Sequence, residues 1–295
     1  MYAGCAPLDL DVTFIGDSSD RSGNEHRVSV VNAVVDVEGA HFDGDGDYIT
    51  VENFEYAADG RFTVAMWMTK TACTGGLYEY LYSHNKQEHS TPTQPDNPNV
   101  NIYIGCESSG SGFSTLDGSI IRYYVKDDDD VLAEFDYPLH NAGDFDAITA
   151  LWTHVVLVVD ATRVVTYDDG VTVPDVEYGF FKSQNAGNNA AYPHPGALAT
   201  AIGKITMQTA IFIGARADLA HSRHFNGRIA GLLVSTAALT EEQVACVFTN
   251  GEEFLPSILQ ECRAPPDAQL SISGLKGDVK DRRHAHLQCQ NMIIL

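Results

Sequence analysis

No stretch of this sequence approaches the ~18 consecutive apolar residues that a membrane-spanning helix needs, so no membrane insertion is expected. Basic residues are scarce: 18 Lys and Arg stand against 40 Asp and Glu, a formal net charge of −22. A nucleic acid or an anionic membrane surface needs a positive face, so neither is expected as a partner. None of the six cysteines lies in a C-x-x-C pair, which argues against a zinc knuckle or a dithiol redox motif. There is no Gly-Lys-Ser phosphate loop, no dinucleotide fingerprint and no Gly-x-Ser-x-Gly elbow. Asn-x-Ser/Thr sequons are also missing, so glycosylation offers no sign of secretion. The opening MYAGCAPLDLDVTF lacks a basic n-region and an apolar core. An extracellular chain would therefore have lost its signal or be part of a longer protein.

What is present is β-sheet pattern. LWTHVVLVVDATRVVTYDDGVTV, residues 151–173, reads as three strands and two tight turns, with Trp152 as a core anchor. RFTVAMWMTKTAC alternates, placing Phe62, Val64, Met66 and Met68 on one face. LYEYLYS, VNIYIGC, SIIRYYVK, VLAEFDYPL, AIFIGAR and FNGRIAGLLVS continue the pattern. One stretch changes period: Thr240 caps a helix, Glu241 and Glu242 suit its first turn, and Gly251 is expected to close it. Roughly a dozen strands and a single late helix predict an all-β, antiparallel two-sheet sandwich with one short C-terminal helix. Residues 1–27 read as a polar N-terminal extension, 28–255 as the sandwich and 256–295 as a tail. Two long polar loops interrupt the strands, His84 to Asn99 and about Phe181 to Gly203, and loops of that length are usually functional.

Phe42-Asp43-Gly44, Phe62-Thr63-Val64 with Trp67, and Trp152-Thr153-His154-Val155 occur in a familiar order. Tyr167-Asp168-Asp169-Gly170, Ile211-Phe212-Ile213-Gly214, Phe225 to Ala230 and Ala238-Leu239-Thr240 follow them. The order resembles the laminin-G-like and pentraxin branch of the concanavalin A-like jelly rolls. That resemblance implies an extracellular binding or adhesion module for glycans or a protein surface, with calcium at one rim. Carried over by position, Asp96, Asn97 and Asp218 would be its calcium ligands. Arg216 falls where the family places a carboxylate, which leaves one ion rather than two. Tyr82, Asn85, Arg216 and Tyr192, in or beside the long loops, are the residues expected to touch ligand.

Other readings stand beside this one. Glu134 and Asp136 alternate on one strand, the spacing a glycan-active hydrolase uses, although Pro138 weakens the strand. The chain would alternatively be a structural subunit that packs its N- and C-terminal tails on neighbours. Asp43 to Asp47 read as a hairpin turn and Asp127 to Asp130 as a solvated one. His221-x-x-His224 and His284-x-His286 are fortuitous pairs on this reading, and His154 a packed histidine. An even cysteine count suits disulfides: Cys73 with Cys106, and Cys246 with Cys262 or Cys5.

Overall fold

The computed structural model describes residues 5–70, 78–85, 97–105, 120–138, 152–160, 163–168, 171–172, 180–182, 196–197 and 201–252. These residues form two antiparallel sheets. The first runs β13 (Val171–Thr172), β12 (Arg163–Asp168), β11 (Thr153–Asp160), β6 (Phe62–Lys70), β17 (Asn226–Ser235), β4 (Gly39–Asp43) and β3 (Val34–Asp36). On it, β1 (Leu10–Thr13) also pairs with β17, and β15 (Gly196–Ala197) with β12. The second runs β14 (Phe180–Lys182), β10 (Leu132–Pro138), β9 (Ile120–Lys126), β8 (Asn99–Gly105) and β7 (Tyr78–His84). It continues through β16 (Ile211–Ile213) and β5 (Tyr48–Glu52) to β2 (Arg27–Val31). The chain is a two-sheet jelly-roll sandwich. No helix among the described residues is long and apolar enough to cross a membrane.

Alternation sorts the side chains. Phe62, Val64, Met66 and Met68 of β6 join Val155, Leu157 and Val159 of β11 in the core between the sheets. The other faces of those strands are buried as well. Ala65, Val156 and Val158 carry the helix α1 (Glu241–Glu252) through Val244 and Val247, with Leu239 just ahead of it in the same cluster. That double burial explains why β11 reads as a nearly continuous apolar run. The helix opens with a capping box: the Gln243 N–H donates to Thr240 Oγ1 at 3.3 Å, and the Thr240 N–H to Gln243 Oε1 at 2.9 Å.

Four expectations need correcting. Gly251 does not end the helix but lies within it, and it is glycine because a Cβ there would collide with Trp67 Nε1. The missing side chain serves close approach of helix to sheet, not a left-handed cap. The core indole is accordingly Trp67, stacked 5.2 Å from Phe248, while Trp152 is only half-buried. The segment 1–27 is not merely an extension: Leu10, Val12 and Phe14 alternate into the core, and β1 pairs along β17 from Val234 to Gly231. Its acidic alternate residues disguise that strand in the sequence. Finally, Asp127 is no solvated turn residue. Its carboxylate accepts from the N–H groups of Asp129, Val131 and Gly203 at 2.6 to 2.9 Å, which anchors a later segment.

Residues 1–251 form one compact unit and 252–295 fall outside it. The expected tail, with His284, His286, Cys262 and Cys289, lies outside the described residues, as do Cys73 and Cys106. Among the described residues one disulfide is present, Cys5–Cys246, and it ties the N-terminal segment to α1. It spans 241 residues of sequence, so it restrains the unfolded chain strongly. Cys246→Ala should lower stability by about 3 kcal/mol in denaturant titration. Peptide mapping without reductant should return Cys5 linked to Cys246, and recovery of two free thiols would refute the bond.

Candidate functional site

The outward face of the eight-stranded sheet gathers aromatic and charged groups. A bulge in β7 between Tyr80 and Tyr82 sets which residues point there. Before it, Tyr78 and Tyr80 face outward and Glu79 inward; after it, Leu81 and Tyr82 enter the core. Tyr80 stacks on Tyr103 of β8 with centroids 4.7 Å apart, and Tyr78 meets Tyr103 edge-on at 5.3 Å. Tyr124 and Leu132 complete this third apolar cluster.

Three guanidinium groups frame the rings. Arg122 lies 5.9 Å from the Tyr103 centroid and pairs with Glu134 at 3.0 Å. Arg216 lies 5.9 Å from Tyr80, and Arg223 lies 4.9 Å from Tyr78. These separations are within the range of cation–π attraction. Burial raises the Tyr80 hydroxyl pKa, and Tyr103 is raised further for the same reason. Both rings therefore stay neutral at physiological pH. A polar ladder runs beside them: the Ala217 N–H donates to Ser83 Oγ, Ser83 Oγ to Asn101 Oδ1, and Asn101 Nδ2 to Asn99 Oδ1.

The expected site residues divide. Arg216 lies at this face, half-buried, donating to both carboxylate oxygens of Asp218 at 2.7 and 2.8 Å. Tyr82 does not: it is fully buried, with its hydroxyl 2.6 Å from that of Tyr56. The bulge explains the difference, because it shifts the alternation by one residue. Asn85 is also buried, with a left-handed φ of 56°. Its Nδ2 donates to Pro98 O at 2.5 Å, and its Oδ1 accepts from the Gln208 N–H at 3.1 Å. That side chain clamps two segments together and is spent on the protein itself. Asn97 is exposed, and its carbonyl accepts from Asn99 Nδ2 at 2.9 Å. Asp96 and Tyr192 lie outside the described residues.

As for the remaining candidates, Glu134 is held by Arg122, and Asp136 stands opposite Arg122 in the strand ladder. The acidic turn at Asp43 to Asp47 is ordinary turn chemistry, the Asp45 N–H donating to Asp43 Oδ1 at 2.8 Å. It does meet the histidine pair: His221 Nδ1 lies 3.3 Å from Asp45 Oδ1, and His224 Nδ1 lies 3.4 Å from Asp47 O. Among the described residues, no three His, Cys, Asp or Glu side chains converge to hold a metal ion.

No family model matches the sequence. No curated protein matches it either. Among solved structures, the chain is similar to the botulinum neurotoxin serotype D binding domain, at 13% identity and a TM-score of 0.55. It is likewise similar to the HCR/D F1240A mutant (13%, TM-score 0.56) and the botulinum neurotoxin serotype G binding domain (11%, TM-score 0.53). The alignments cover 83% of this chain and 51–52% of those chains. The chain thus spans about half the length of these neighbours. At such identity the likeness defines the class only, an antiparallel β-sandwich. Of the resemblance to laminin-G-like and pentraxin domains, these neighbours support the antiparallel sandwich alone.

Proposed function

We propose that this chain is an extracellular binding module whose ligand is a glycan. It would be held where Tyr78, Arg216, Asp218 and Arg223 meet at one rim of the eight-stranded sheet. The observation that carries the reading is the half-buried Tyr78 ring with the Arg223 guanidinium 4.9 Å from its centroid, since pyranose rings stack on aromatic faces and arginine donates to their hydroxyls. Solved neighbours named as receptor binding domains of botulinum neurotoxin support a binding role over an enzymatic one. The Arg122 pair on Glu134 points the same way, because that carboxylate is engaged by a guanidinium of the protein itself.

A glycan array with and without calcium tests the proposal. Tyr78→Ala should weaken the retained glycans about tenfold, the loss of one stacked ring. Absence of any retained glycan would defeat the reading, and capture by a protein surface would then be the rival to pursue. The implied calcium ligand Asp218 has both oxygens on Arg216, so an ion there would have to displace a bidentate pair. Melting midpoints in calcium and in chelator should therefore coincide. A calcium-dependent rise lost in Asp218→Asn would instead place the ion at this rim.

A further inference from the structure

Among the described residues, nearly every arginine side chain faces a carboxylate. Arg21 faces Asp17, Arg27 faces Glu52, and Arg61 faces Asp59 and Asp160. Arg122 faces Glu134, Arg216 faces Asp218, and Arg228 faces Asp36 and Glu38. Among the arginines whose side chains are described, Arg223 alone has no carboxylate beside it, in a chain with 40 acids and 18 bases. Its Nη1 is enclosed and has no hydrogen-bond partner. A shielded donor without an acceptor is costly and calls for an explanation.

The surroundings of Arg223 are built rather than loose. Its N–H donates to Ala220 O at 2.9 Å and its carbonyl accepts from the Arg216 N–H at 3.3 Å, so the backbone is fixed on both sides. The guanidinium lies 4.9 Å from the Tyr78 centroid, and Tyr78 is braced edge-on by Tyr103. The side chain is half-buried, not sealed. Beside it Leu219 is 40% exposed at a left-handed φ of 54°, an apolar side chain offered to solvent by a backbone that leucine rarely adopts.

We propose that Arg223 is the anion-binding position of the glycan rim and takes the carboxylate of an acidic sugar, a refinement that rests on the glycan reading above. With Nη1 enclosed, the carboxylate would meet the other edge of the guanidinium, Nε and Nη2, which also presents two parallel donors. The sugar ring would lie against Tyr78 and Leu219. A single carboxylate fits better than a polysulfated chain, because a net charge of −22 repels a polyanion as a whole.

An array that prints each acid-bearing glycan beside its neutral parent decides the matter. The wild type should retain acid-bearing glycans over their parents. Arg223→Gln should abolish that preference with a loss of roughly tenfold to a hundredfold, the range of a charge-assisted hydrogen bond. Arg223→Lys, which keeps the charge but not the fork, should recover only part. Unchanged melting midpoints in both variants separate a ligand effect from misfolding. Retention of neutral glycans, or an acid preference unaltered in Arg223→Gln, overturns this inference and leaves the glycan reading standing. An array on which nothing is retained overturns both. Preference for sulfated over carboxylated partners also overturns the carboxylate assignment.

Discussion

Taking the protein from pH 7 to pH 5 should remove about 4 kcal/mol of folding stability through two buried histidines, His84 and His154. Burial pushes both pKa values down to about 3, against an ordinary value near 6.5. His84 ends β7 with both ring nitrogens lacking hydrogen-bond partners and its ring 5.4 Å from Tyr56. His154 lies 4.9 Å from Trp67 and 5.7 Å from Phe248, under the helix. In each case the unfolded chain takes up a proton that the folded chain refuses. Stability is therefore full above the unfolded pKa and falls as pH drops from about 6.5 toward 3. Ordinary carboxylates titrate lower, so the window from pH 7 to 5 reports mainly on histidine. Urea titrations at the two pH values measure the loss, and His154→Phe should flatten the slope by about half. Equal stability at pH 7 and pH 5 would mean that these rings are solvated or charged.

The sheets were legible because apolar alternation is a local property. Phe62 to Met68 and the run from His154 to Val159 declare their faces without reference to anything distant. The helix was legible for the same reason, through Thr240 and the residues of its first turn. Failures came where a long-range contact decides a residue's role. Gly251 looked like a terminator because nothing nearby in sequence announces Trp67, which lies across the helix–sheet interface. Leu10 to Thr13 looked polar because Asp11 and Thr13 alternate with its apolar residues, and only the pairing with β17 reveals the strand.

The site was less legible than the fold. Loop position suggested Tyr82 and Asn85, yet a one-residue bulge turns Tyr82 inward, and distant backbone groups at 98 and 208 consume Asn85. Arg216 and Asp218 stand out in the sequence, Asp218 as an implied calcium ligand, but their mutual pairing depends on rotamers that no spacing rule predicts. Arg223, Tyr103 and Arg122 were missed altogether. Alternation around Tyr103 in VNIYIGC would have placed that ring opposite Ile102 and Ile104, facing out; nothing local would have joined it to Arg223.

Lys70→Met should cost about 3–5 kcal/mol, the effect of leaving a buried carboxylate without its partner. Lys70 ends β6 in one sheet and Glu79 lies in β7 of the other, and the two side chains, 1% and 0% exposed, form an ion pair across the sandwich. Lys70 Nζ also lies 5.6 Å from the Phe225 ring, and Glu79 Oε2 accepts from the Asn226 N–H at 3.0 Å. Burial pulls the lysine pKa down while Glu79 opposes it, so each charge depends on the other. Adding Glu79→Gln to Lys70→Met should restore most of the loss, because glutamine is neutral and still accepts from Asn226. Chemical denaturation of the two variants measures both numbers, and a single-variant cost below about 1 kcal/mol would show that water reaches the carboxylate. Glu79 stands between Tyr78 and Tyr80, and its inward anchor fixes their outward direction. Lys70→Met should therefore also weaken glycan retention at conditions where the protein remains folded, tying the interior of the sandwich to the face proposed to bind.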